Sequence, residues 1–356
     1  MKIFVRIAVV ILMLSGYVRL SAQDMHFSQF YETPVLRNPA FTGLFLGDFR
    51  GTAAYRSQWQ SLGAPYKTIA AGVELKIPVP ENDGRLVYNS VGLQVTSDKA
   101  GDSKLSKTQI MPVWNFHFLL NKETNSIASV AFMGDWTLHS FDRSALTFDD
   151  QFVNGTVMGT SMQKFDYTSR SHFNMGVGAL YNYGGYVAGD FRYYIGVSFL
   201  NLVPAKRLKY FMDSIDQNTR NLKFGINAGT TIPTGDYTRV NLYGDYFRQS
   251  GNDLIQLGAL LTLDITQDDL ENDQRIGLSG GLLYRPGDAL IPVIRLEYNN
   301  LQLGFSYDAN VRRLVVAGRP KEVFEVTLSG KGFLNILDPT LRKVTCFVNR
   351  LTSGNN

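Results

Sequence analysis

From residue 48 to about residue 330 the chain alternates with a period of two, and no other feature constrains its fold as tightly. Apolar and polar residues that trade places at every step put one kind on each face of a β-strand. Ile69, Ala71, Val73, Leu75 and Ile77 alternate with Gly72, Glu74 and Lys76. Ile110, Trp114, Phe116 and Phe118 face away from Asn115 and His117, and Ala128, Val130, Phe132, Trp136 and Leu138 oppose Ser129, Asp135, Thr137 and His139. The pattern continues through Phe173–Tyr181, Phe191–Phe199, Leu257–Leu263 and Leu301–Tyr307. Such segments recur about fourteen times, mostly at about 8–12 residues, the length of strands that cross an outer membrane.

A soluble sandwich also alternates, so the choice needs further signals. The strands are numerous and even. Aromatics recur towards their ends (Tyr55, Phe118, Tyr181, Phe199, Tyr298, Tyr307), where a membrane interface places them. The polar face carries Arg, Glu, Lys, Asp and Gln next to Gly, which suits a barrel lumen, and closure removes the open edges of a sheet. A composition with 33 Gly, 18 Tyr and 23 Phe but only 19% charged residues agrees. The expected fold is all-β: a transmembrane antiparallel barrel of about fourteen strands, with an N-terminal lead-in and a periplasmic C-terminal tail.

Residues 1–22 read as a secretory signal, with Lys2 and Arg6, an apolar run from Ile7 to Leu14, and Ser21-Ala22 before Gln23. The remainder divides into a lead-in and possible plug at 23–47, a barrel at 48–330 and a tail at 331–356. With both termini in the periplasm, the two longest connections, 140–171 and 200–221, fall together on the outside, as is usual for such barrels. The single cysteine, Cys346, excludes an internal disulfide.

Sites of chemistry are hard to assemble. There is no phosphate-binding Gly loop and no G-x-S-x-G elbow. His26, His117, His139 and His172 lack ligand spacing. His117 and His139 can meet inside a barrel from neighbouring strands, although two separate hydrogen-bonding groups are the simpler reading. Asp268, Asp269, Glu271 and Asp273 lack the order of a calcium loop. The net charge of +4 is scattered, which argues against nucleic acid. The expectation is a non-enzymatic protein with no cofactor and no metal.

The lead-in stands apart from the alternation. It reads Asp24-Met25-His26-Phe27-Ser28-Gln29-Phe30-Tyr31, then Pro34, then Asn38-Pro39-Ala40-Phe41-Thr42-Gly43. Its two prolines argue against helix, and the segment is expected to have a docking site of its own at or inside the periplasmic mouth. It closely resembles the start of the PorP/SprF family of Bacteroidetes outer-membrane proteins. Arg56-Ser57-Gln58-Trp59 with Gly63-Ala64-Pro65, Tyr194 to Ser198 with Asn201-Leu202, Leu283 to Ala289, and Leu303 to Asp308 resemble further stretches of that family. The tail departs from it, with Cys346-Phe347-Val348 where members often end Cys-Pro-Arg-Phe.

The resemblance implies a barrel of the type IX secretion and gliding system. Such a barrel supports export or surface anchoring of a secreted adhesin or similar protein through that client's C-terminal targeting domain. The implied partners are the client, the translocon or peptidoglycan-associated periplasmic proteins, and outer-membrane lipid. His26, Phe27, Ser28, Gln29, Phe30, Tyr31, Asn38, Pro39, Ala40, Gly43, Arg56, Gln58 and Trp59 are the family-motif residues that would dock. A general diffusion porin is the alternative. Asp213-Ser214-Ile215 also resembles an O-glycosylation sequon of exported proteins; an intact mass equal to that of the unmodified chain would dispose of modification there.

Overall fold

The computed structural model describes residues 26–333, apart from 59–65, 80–85, 102, 122, 154–155, 158–160, 164, 166, 185–190, 204–221, 266–275 and 312–322. Fourteen long antiparallel strands are present among the described residues. They are β1 (Phe49–Gln58), β2 (Tyr66–Pro78), β3 (Leu86–Ala100), β4 (Leu105–Asn121), β5 (Ser126–Ser140), β6 (Ser169–Tyr183) and β7 (Arg192–Leu200). The ring continues with β8 (Lys223–Gly235), β9 (Thr238–Gln249), β10 (Asn252–Asp264), β11 (Ile276–Arg285), β12 (Ala289–Tyr298), β13 (Leu301–Tyr307) and β14 (Val323–Gly332).

Each strand pairs with its neighbours in sequence, and β14 closes on β1 from Phe49↔Gly332 to Gln58↔Val323. The result is an up-and-down barrel without a free sheet edge along its seam. Strand length is less even than the sequence suggests, running from 7 residues in β13 to 17 in β4. The tall wall, β3 to β6, continues towards the 141–168 connection, where Ser106 and Ser140 still hydrogen-bond through their hydroxyls at 2.7 Å.

The barrel is apolar outside and polar inside. Trp114 is 50% exposed on the outer face while its neighbour Asn115 is 0% exposed within; Ile294 and Arg295 show the same contrast at 62% and 6%. A soluble sheet packs the other way. Lipid is the solvent that makes this arrangement stable, because it accepts the apolar belt and leaves polar groups to pair inside.

Residues 27–45 lie inside the barrel and are almost wholly buried. Here the expectation of a lead-in without helix is corrected. A single-turn helix, α1 (Pro34–Arg37), is flanked by 3-10 turns at Phe30–Glu32 and Pro39–Phe41. Pro34 and Pro39 each open a turn, at the one helical position where a missing N–H costs nothing. Asn38 then caps the second proline turn by accepting the N–H of Ala40 at 2.9 Å.

The long connection after β5 contains 3-10 turns at Arg143–Ala145 and Asp149–Gln151 and a small hairpin, Phe152–Val153 with Thr156–Val157. The signal segment, the tail beyond residue 333, Trp59 and Ser214 lie outside the described residues.

Candidate functional site

The site is the lumen together with the N-terminal segment that fills it. One end of that segment is held by charge. Glu325 on β14 accepts the backbone N–H of Ser28 and of Gln29, both at 2.7 Å. The Ser28 hydroxyl donates to Asp308 at 2.6 Å and accepts from Arg56 of β1. Arg56 in turn lies 3.1 Å from Asp308 and 3.5 Å from Glu325, and Arg285 reaches Asp308 at 2.7 Å. The Gln29 side chain donates to Ser306 and accepts from Thr327. All these groups are buried, so each N–H and carboxylate depends on its partner for the solvation it has lost.

Arg37, at the end of α1, crosses the lumen to β9. Its guanidinium meets Asp245 in a bidentate pair at 2.6 and 2.8 Å and donates to the Tyr194 hydroxyl at 2.9 Å. It also sits over the Phe41 ring, 4.5 Å from the centroid. Burial works against its charge, but Asp245 and Tyr194 outweigh burial and hold its pKa above the ordinary range. Nearby, Tyr31 stacks on Tyr243 at 4.9 Å, and Glu32 lies 3.6 Å from Arg295.

The other end of the segment is held by apolar packing. Val35, Ala40, Phe41 and Leu44 meet Met111, Val113, Ala131, Met133, Leu180 and Leu200 on the inner faces of β4 to β7. Backbone groups are satisfied within this cradle. Asn115 donates to the carbonyls of Ala40 and Thr42, and Asn38 donates to those of Ala179 and Val197. Two glycines make the approach possible. A Cβ on Gly178 would lie 2.0 Å from the Asn38 side-chain oxygen, and one on Gly304 would lie 2.1 Å from that of Gln29.

The family-motif residues are distributed as follows. Phe27 is buried against Ala54 and Ala70, with its carbonyl accepting from Gln256 at 3.0 Å. Phe30 meets Tyr31 and Tyr243 edge-on, and Pro39 begins its 3-10 turn. Gly43, at φ +80°, donates its N–H to Glu74 and accepts from Tyr88. His26 is half-buried where the described chain begins, and Gln58 ends β1 opposite Tyr66.

His117 and His139 do not meet. His117 is paired with Ser129 on β5 and sits between the hydroxyls of Ser90 and Ser129, at 2.9 and 2.8 Å. His139 lies further along β5 and stacks on His172 instead, at 5.5 Å. Among the described residues, no group of three or more His, Cys, Asp or Glu is placed to hold a metal ion.

Sequence reasoning missed Arg37, Glu74, Asp245, Asp308 and Glu325 as the partners that hold the segment. The available signal was charge matching: acidic residues written on the lumen face opposite a lead-in that contains an arginine.

These features define a class first: a closed outer-membrane type of β-barrel whose lumen is filled by its own N-terminal segment. The model of the type IX secretion system membrane protein PorP/SprF family matches residues 20–329, and the chain belongs to that family. The family and the barrel both fit the outer membrane. No curated protein matches the chain.

Similar solved structures are barrels. The toluene transporter TbuX of Ralstonia pickettii is 11% identical, with 89% of this chain and 98% of that one covered at a TM-score of 0.47. The monoaromatic hydrocarbon channel CymD is 9% identical, with 88% and 96% covered at 0.41. BamA from Haemophilus ducreyi is 11% identical, with 80% and 70% covered at 0.39.

Proposed function

We propose that this family barrel is a plugged platform that binds a secreted client through the client's C-terminal targeting domain and supports its export or surface anchoring. The observation that carries the reading is the filled lumen. A segment bonded to β14 at one end and packed against β4 to β7 at the other occupies the lumen. A barrel closed in this way serves as a surface rather than a conduit, and it performs no chemistry of its own.

In this reading the end of the barrel where β1 begins and β14 finishes faces the periplasm, after removal of a signal at 1–22, and meets the translocon or peptidoglycan-associated proteins. The opposite end, with the 141–168 connection, meets the client. That connection presents exposed apolar side chains, among them Phe152, Val157 and Met162, the last 88% exposed. Exposed apolar groups on a connection of this kind are what a protein partner covers.

The test is a gentle-detergent pull-down of the tagged protein from its native outer membrane, read by mass spectrometry. One large exported protein with a C-terminal targeting domain, or secretion-machinery components, is the expected recovery. The barrel alone, even after cross-linking, would overturn the reading and favour a free-standing diffusion porin.

A further inference from the structure

The plug runs through the lumen from one mouth to the other. Its Ser28 and Gln29 end is bonded to groups at strand ends. Asp308 directly follows the last residue of β13, Arg285 is the last residue of β11, and Glu325 lies near the start of β14. Arg56, which donates to the Ser28 hydroxyl, stands near the end of β1. Strand pairing links these positions to Gln58, Tyr66, Ser140 and Ser169, so this is the mouth of the 141–168 connection.

The later part of the plug leaves by the opposite mouth. The Phe45 carbonyl accepts from the Lys76 ammonium, near the end of β2. The Asp48 N–H then donates to the carbonyl of Gly332, the last residue of β14, at 2.8 Å. The chain upstream of Phe27 therefore enters the lumen from the side of the 141–168 connection. His26 is half-buried while Phe27 and Ser28 are buried, the gradient of a chain that passes from a rim into a lumen.

We propose that the mature chain displays its amino-terminal end at this mouth, as part of the surface that the client meets. The inference rests on the client-binding reading above and on removal of the signal at 1–22. Three residues, Gln23 to Met25, then precede His26. Fully extended, they span at most about 11 Å. Glu325 and Gly332 are separated by about 23 Å of strand, so such a stretch cannot return to the opposite mouth. The lumen between is already taken by the plug itself. Charge fixes the direction of threading. The reverse direction would take two buried N–H groups from Glu325 and part Arg37 from Asp245. The amino terminus thus lies opposite to the periplasmic side expected from the strand count.

The experiment reads the side of the membrane on which single cysteines react. Cys346→Ser removes the native thiol. Asp24→Cys, Met162→Cys in the connection and Asp236→Cys in the β8–β9 turn are then introduced one at a time. Intact cells and cells with a permeabilised outer membrane are treated with a membrane-impermeant maleimide. Asp24→Cys and Met162→Cys should both label in intact cells, and Asp236→Cys only after permeabilisation. Asp24→Cys that follows Asp236→Cys, or labels in neither preparation, overturns the proposal. Met25→Cys repeats the test where Asp24→Cys does not reach the membrane. Labelling of Asp24→Cys and Met162→Cys together, but only after permeabilisation, supports the shared mouth and overturns the orientation given above.

A second arm tests the contact with the client. Coupling a bulky polyethylene-glycol maleimide to the Asp24→Cys chain should abolish recovery of the client in the pull-down. Unchanged recovery overturns the shared surface and leaves client binding standing. Absence of any client before coupling overturns client binding and leaves the position of the amino terminus standing.

Discussion

The two ends of the plug are held by opposite physics. At Ser28 and Gln29 the grip is ionic: two backbone N–H groups on Glu325, with Arg56, Asp308 and Arg285 balancing the charge. From Val35 to Leu44 the grip is mainly packing against Met111, Val113, Met133 and Leu180, joined by the Arg37–Asp245 ion pair, with amides from Asn38 and Asn115 satisfying the backbone. The ionic end is specific in register, because moving the segment by one residue would orphan buried charges. The apolar end tolerates small shifts, because contact area has little direction. A plug built this way is fixed at one end and seated at the other.

That contrast can be broken from either side. The largest effect should come from the charged groups. Glu325→Ala leaves Arg56 and two buried N–H groups short of their acceptor, and Arg37→Ala leaves the buried Asp245 without its cation, with the Asn227 amide still donating to it. Each should cost about 3–5 kcal/mol, read as a lower urea midpoint of the barrel folded in vesicles. An unchanged midpoint for both would mean that the ionic contacts do not hold the plug.

Phe41→Ala removes an aromatic ring from the apolar cradle and from under Arg37, and should cost about 3 kcal/mol by the same measurement. Gly178→Ala and Gly304→Ala push a methyl into Asn38 and Gln29 respectively, and each should cost about 1–3 kcal/mol. Gly304→Ala is expected to be the worse of the two, because Gln29 belongs to the end fixed in register. The reverse order would contradict the contrast drawn here. Gln256→Leu, which removes one hydrogen bond to the Phe27 carbonyl, should cost least, about 1 kcal/mol.

The barrel itself was legible, because period two survives wherever lipid lies on one side and polar groups on the other. Trp114 beside Asn115 and Ile294 beside Arg295 state the two environments in adjacent letters. Much of the site was not. Met111, Val113, Ala131 and Met133 point inward, but apolar neighbours on the lipid face flank them, so the alternation vanishes where the plug sits.

The lead-in could be singled out by its prolines and aromatics, but its shape was misread. Proline opposes the helix interior and suits its first residue, and only the turn at Pro34 distinguishes the two. The separation of His117 from His139 depends on register: one pairs with Ser129 and the other with Lys107, which no count of strands can supply.

The most direct test is single-channel recording in planar bilayers, with the full-length barrel compared with a chain lacking residues 24–43. The filled lumen predicts a silent full-length protein and steady openings once the plug is gone. Steady conductance from the intact chain, unchanged by the deletion, would contradict a barrel closed by its own N-terminal segment.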